Sequence, residues 1–261
     1  MDSSDVKAVS REAGDHPALE TAARVGYAVN GLLHVMIGVI ALQLAWATSK
    51  LTADQSGALG ALSGNTFGKL ALWVAVVGWL GLGLWQVTEA ITGSFETPDR
   101  VKAAAKAVVY LVLSWTAFGF ARGGKGDSGK QSTDFTRWLL GAPLGVWLVG
   151  LVGVAVFGVG VYHVVKGWKR KFLADLESDP GDFVEVAGRY GYIAKGIALG
   201  VVGGLFVVAA ARHRPSEADG LDGALHTLLE APGGKALLTV VALGLIAYGV
   251  YSFGRARHAD V

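Results

Sequence analysis

The sequence predicts an all-α membrane protein: six transmembrane helices in three parallel tandem helical hairpins, pseudo-threefold about the membrane normal. Three observations lead there. They are an apolar composition, six long apolar stretches, and a pattern of glycine, aromatic and polar positions that recurs three times. Hydrophobic residues make up 52% of the 261 and charged residues 17%, whereas soluble domains carry about 25% charge. Most of the 38 glycines lie inside apolar runs rather than in turns, as in membrane helices that pack closely on one another. The absence of cysteine excludes disulfides, thiolate metal sites and cysteine catalysis. A formal charge of +2 gives no reason to expect nucleic acid as a partner.

The apolar stretches fall near 25–47, 70–91, 103–121, 144–165, 190–211 and 236–254. Crossing roughly 30 Å of hydrocarbon takes about 20 helical residues. The third stretch is the shortest and reaches full length only if Lys106 snorkels toward the headgroups. An open strand edge cannot survive in lipid and barrel strands alternate in polarity, so the spans read as helices. Residues 1–21 are polar and mixed in charge. They read as a cytoplasmic tail, and with no apolar core near the start a signal peptide is not expected. The two ends, the linkers after spans two and four, and the adjoining helix ends carry 14 of the 23 Lys and Arg residues. The positive-inside rule therefore places both termini in the cytoplasm.

The repeat shows at the start of the odd spans. Arg24-Val25-Gly26-Tyr27-Ala28-Val29-Asn30-Gly31 matches Arg189-Tyr190-Gly191-Tyr192-Ile193-Ala194-Lys195-Gly196, giving R-x-G-Y-x-x-[N/K]-G. Span three holds a degraded copy, with Arg100 and Lys106 kept but Lys102-Ala103 where Gly-Tyr stands elsewhere. The even spans share glycine pairs: Gly68 and Gly83, Gly145 and Gly160, Gly234 and Gly249. Each pair is followed by an aromatic (Trp85, Tyr162, Tyr251), a polar residue (Gln86, His163, Ser252) and a charged one (Glu89, Lys166, Arg255). The units run 22–96, 97–173 and 187–257. Each hairpin enters the membrane in the same direction, so the copies relate by rotation about the membrane normal. Short stretches at 58–67, 134–142 and 222–232 have apolar residues at helical spacing and read as amphipathic surface helices.

The triplicated hairpin with its R-x-G-Y-x-x-[N/K]-G opening resembles the bacterial family called domain of unknown function 1206, over roughly residues 22–256. The resemblance implies a pair of membrane helices occurring three times and a prokaryotic inner membrane. It implies no catalytic or binding residues.

Helical geometry sets the repeated polar positions at one level. Asn30, Lys106 and Lys195 lie about 9 Å deeper than the arginines that open their helices, and those arginines read as interfacial anchors. Glu89, Lys166 and Arg255 end the even spans on the same side, with Gln86, His163 and Ser252 one turn deeper. The candidate ligand-binding residues are therefore Asn30, His34, Gln86, Glu89, Lys106, His163 and Lys195. Pointing inward, they would make a basic cytoplasmic-side vestibule with Glu89 as its one acid, because ionisable groups in membrane helices face a cavity or a partner. His34 shares the i, i+4 face with Asn30 and has no set of further metal ligands at suitable spacing; neither metal nor cofactor is expected. Gln43 reads as interhelical glue. The glycine runs open no phosphate loop.

No nucleophile, metal set or acid/base pair stands out, so an enzyme is not expected. The reading favoured is transport or binding of a small anionic ligand through the vestibule. The alternative is a non-catalytic scaffold or accessory subunit that packs against another membrane complex or holds anionic lipid. The lipid bilayer is the one partner the composition requires.

Overall fold

The computed structural model describes residues 17–47, 51–64, 66–92 and 97–258. The tail as far as residue 16 and residues 93–96 of the first hairpin lie outside them. Among the described residues the secondary structure is helical, with no extended strand. The helices are α1 (Pro17–Trp46), α2 (Gln55–Ser63), α3 (Thr66–Thr92), α4 (Thr97–Ala121), α5 (Ser128–Leu140), α6 (Gly145–Trp168), α7 (Asp182–Arg212), α8 (Gly220–Glu230) and α9 (Gly234–His258). Of these, α1, α3, α4, α6, α7 and α9 are long and apolar enough to cross a membrane. The protein is a multi-pass membrane protein.

The surface helices α2, α5 and α8 begin three, six and two residues before the stretches expected from spacing. For the first two the cause is local. Asp54 and Asp127 sit at the N-caps and accept hydrogen bonds from the Gly57 and Lys130 amides at 2.8 and 2.9 Å, which lets each helix start earlier. The three helices form one layer. The Ala53 amide donates to Asp222 on α8 at 2.5 Å and the Ser128 amide donates to Ser56 on α2 at 2.9 Å.

Each even span packs on the odd span of the next repeat: α3 on α4, α6 on α7, and α9 back on α1. That closure from the last span to the first makes the arrangement cyclic, as three units around an axis require. The crossings use the repeated glycines. A Cβ on Gly31 would lie 2.8 Å from the Gly249 carbonyl oxygen, and one on Gly160 would lie 2.7 Å from that of Gly196. The start of α1 and the end of α9 lie on one face, where the Arg24 guanidinium donates to the Arg257 carbonyl at 3.0 Å. At the other end of the same helix pair, the Trp46 indole donates to Thr239 at 2.8 Å.

Within a repeat the two spans also pack, α1 on α3 and α7 on α9, but α4 and α6 scarcely meet. In the first hairpin a Cβ on Gly26 would come 2.5 Å from the Gly78 carbonyl oxygen; in the third, Gly191 presses on the Tyr248 backbone. The equivalent residues of the second hairpin are Lys102 and Ala155, and the close approach is lost. The consequence is a seam. Only 28% of the α4 segment and 17% of the α6 segment are buried, against 56% of α1 and 50% of α9.

Beyond the seam the bundle is filled. Leu33, Ile37, Ile40, Leu72, Trp79, Ala117, Leu238, Val241 and Leu245 form a continuous buried core toward the α2–α5–α8 layer. Gln43 is exposed on α1 and so does not serve as the expected interhelical glue; it falls outside the stripe that carries Ile37, Ile40 and Ala41.

Candidate functional site

The polar residues of the spans gather toward the terminal face, on helix faces set by i, i+3, i+4 and i+7 spacing. From α1 come Tyr27, Asn30 and His34, and from α9 come Tyr248, Tyr251, Ser252 and Arg255. The Asn30 amide reaches the Ser252 hydroxyl at 3.4 Å, and that hydroxyl donates to the Tyr248 carbonyl at 2.9 Å. Asn30 and Ser252 are recurring polar positions of the first and third repeats. His34 Nδ1 donates to the Asn30 carbonyl at 2.8 Å. A carbonyl can only accept, so Nε2 is left as the acceptor of the neutral ring. The ring lies 4.7 Å from that of Tyr248.

Tyr248 is shared. The Lys195 ammonium of α7 sits 4.1 Å from its ring centroid, so His34 and Lys195 meet the same tyrosine from two helices. One turn from Lys195, Tyr192 packs edge-on to Tyr248 at 5.1 Å and stacks on Phe172 at 5.4 Å. Tyr251 completes the cluster, 5.1 Å from Phe172, and its hydroxyl donates to the Phe172 carbonyl at 3.3 Å. Phe172 belongs to a 3₁₀ turn, Lys171–Asp175, that follows α6 and folds back under the bundle. Edge-on and offset contacts of this kind suit the ring quadrupole, negative on its face and positive at its edge.

The same turn supplies Asp175. Its carboxylate takes the Lys166 ammonium at 2.6 Å and lies 3.8 Å from the Arg255 guanidinium. Lys166 also stands 5.3 Å over the Tyr192 ring and Arg255 4.3 Å over that of Tyr27. His163, on α6, has its ring 5.6 Å from Tyr192 and its Nδ1 donates to the Val159 carbonyl at 2.8 Å. Both histidines thus carry a proton on Nδ1.

On α4, Lys106 continues the inward stripe of Tyr110, Leu113, Ala117 and Phe120, yet it is exposed where they are wholly or partly buried. Its ammonium lies within electrostatic reach of Arg255, Asp175 and Lys166. On α3, Gln86 is buried and Glu89 half-buried; Glu89 lies within reach of Tyr27. Among the described residues neither Lys106 nor Lys195 is salt-bridged.

Of the seven residues expected to form the site, Asn30, His34, His163 and Lys195 therefore join one connected cluster, and Lys106, Gln86 and Glu89 flank it. The expectation that Glu89 is the one acid is corrected: Asp175 is a second. It sits in a linker rather than at a repeated helix position, so the alignment of repeats passed over it. The tyrosines Tyr27, Tyr192, Tyr248 and Tyr251 were missed as site residues too, although the shared Gly-Tyr motif and the aromatic after each even glycine pair had marked three of them. Among the described residues no three His, Cys, Asp or Glu side chains group as a metal ion would need.

The cluster is cationic and aromatic. Ammonium and guanidinium donors converge on it, and tyrosine faces line it. The Arg189 and Arg255 Nε atoms are buried with no hydrogen-bond partner.

The sequence profile described as Domain of Unknown Function (DUF1206) matches three times, over residues 25–93, 101–170 and 190–259. The chain is 29% identical over 248 residues to the uncharacterized protein YxxB of Bacillus subtilis (strain 168), covering 90% of each. No solved structure matches.

Proposed function

Since the chain belongs to the DUF1206 family, whose description names no activity, we propose from its geometry that it binds a small anionic ligand in the terminal-face vestibule. One observation carries this. Four cations, Lys106, Lys166, Lys195 and Arg255, crowd one ring cluster beside two carboxylates, Asp175 and Glu89. The formal excess is two positive charges, gathered at one end of the spans. A bound anion offsets that charge more effectively than bulk solvent, because the local dielectric is low.

The apolar core beyond His34 favours binding over passage through the bundle. The proposal assigns no reaction. It places the protein in the bacterial inner membrane with both termini cytoplasmic, on the basic excess at the terminal face. A scaffold role finds its support in the broad apolar faces of α4 and α6, which a partner subunit would cover.

The test is thermal unfolding of the purified protein in detergent, with inorganic phosphate against chloride at equal ionic strength. A saturable rise in midpoint is expected, and the folded double variant Lys106→Ala/Lys195→Ala should lose it. If phosphate does not shift the wild-type midpoint, the reading fails. For orientation, the cysteine-free chain allows single probes. A cysteine at Ser128 should react with an impermeant thiol reagent outside intact cells, and one at Asp179 should not; the reverse pattern would invert the protein.

A further inference from the structure

We infer that the seam between α4 and α6 is a lateral berth for an anionic, acyl-chain lipid whose headgroup enters the vestibule. This rests on the vestibule being an anion site and names the class of ligand.

Helical spacing puts Ala105, Val109 and Val112 of α4 on one wall of the seam, and Ala155, Val159 and Tyr162 of α6 on the other; all six are exposed. Their counterparts in the first hairpin, such as Val29, Leu33 and Met36 on α1, pack into the core. The seam is thus a packing surface whose partner helix is missing. Its walls lie at hydrocarbon depth and carry no polar stripe, so water is a poor occupant and a hydrocarbon chain a good one.

Charge selects which lipid. At the terminal end the seam runs into Lys102 and Lys106 on α4 and His163 and Lys166 on α6, with Arg255 behind them. Lys106 is exposed at the mouth, and the Lys166 ammonium, held by Asp175 at 2.6 Å, lies behind it. A zwitterionic lipid would bring its own cation to the same place. A second copy of the chain would have to offer carboxylates there, and among the described residues exposed on α4 and α6 none is acidic. Anionic lipids gain from each basic residue near the headgroup plane, so the seam should discriminate by headgroup while its walls accept any chain.

The test uses single cysteines labelled with bimane, at Ala155 in the seam and at Val154 on the outward face of the same helix, in vesicles holding brominated-chain lipid. At Ala155, brominated phosphatidylglycerol should quench about fivefold more effectively than brominated phosphatidylcholine at equal mole fraction. At Val154 the two lipids should quench alike. Lys106→Gln with Lys166→Gln should bring quenching by brominated phosphatidylglycerol at Ala155 down to the phosphatidylcholine level and leave quenching at Val154 unchanged. Equal quenching by both lipids at Ala155 would overturn the inference. So would absent quenching together with disulfide formation between Ala155→Cys copies, which would assign the seam to a second chain. The phosphate-dependent midpoint is measured on the same samples: retained while the lipid preference is absent, it removes the seam alone; lost as well, it removes the anion site beneath it.

Discussion

The first and third hairpins close and the second does not, and the second differs from both at the contact itself. Gly26 and Gly191 let α1 and α7 approach α3 and α9; Lys102 takes that place in α4, and Ala155 takes the place of Gly78 and Gly244 in α6. In water such a gap would collapse under the hydrophobic effect. In lipid there is none between helices, and only close packing and hydrogen bonds draw them together. Removing a glycine contact there opens a seam that the bilayer can fill at little cost. The comparison teaches that one drifted copy of a repeat supplies asymmetry without disturbing the inter-repeat crossings that hold the bundle.

The comparison predicts a hierarchy of effects. Gly160→Leu strikes an inter-repeat crossing shared by the whole design. Overpacking against Gly196 and Gly200 should cost about 1–3 kcal/mol or more and leave little folded protein after mild heating, read by fluorescence-detected size exclusion. Ala155→Leu adds similar bulk in the open seam and should leave the elution profile and midpoint unchanged. Equal damage from both would mean that the seam is not open in the membrane.

A smaller effect is expected at Asp175, which ties the turn after α6 to Lys166 and Arg255. Asp175→Asn should destabilise by about 1–2 kcal/mol, discounted from the cost of breaking a fully buried pair because the carboxylate is a quarter exposed. The same change deepens the positive excess, so the phosphate concentration giving half-maximal stabilisation should fall. A rise would show that Asp175 positions the cations rather than competing with the ligand.

Restoring the lost glycines, Lys102→Gly with Ala155→Gly, should draw α4 toward α6. In the cysteine-free background, cysteines at Val109 and Val159 should then cross-link with a shorter bifunctional reagent than in the parent. An unchanged reagent length would place the cause of the seam elsewhere.

The smallest effect lies in the opposite layer. Burial, then the Asp222 and Asp127 carboxylates, raise the Asp219 pKa above its ordinary 3.8, while His226 opposes them. The folded state thus holds this proton more tightly than the unfolded chain, so the group's contribution to stability falls as pH rises through that window. Asp219 makes no side-chain cap bond to α8, and Asp219→Asn should therefore raise the midpoint by about 1 °C or less at neutral pH. The gain should vanish below pH 4. A loss at neutral pH would show that the carboxylate carries a contact the layer needs.

Six spans, three units and a polar layer near one face follow from the sequence by itself. Apolar length, glycine spacing and side-chain polarity are local properties, and the bilayer converts them directly into helices of fixed direction. Only the tertiary structure decided that Asp175 enters the vestibule: a linker has no periodicity from which its fold-back could be read. It alone showed that His34 and Lys195 meet on Tyr248, a contact between helices of the first and third units that depends on how far each rotates. It also turned the degraded motif of span three from a blemish in a pattern into an opening. The cost of Lys102 for Gly is set by the helix that would have lain against it.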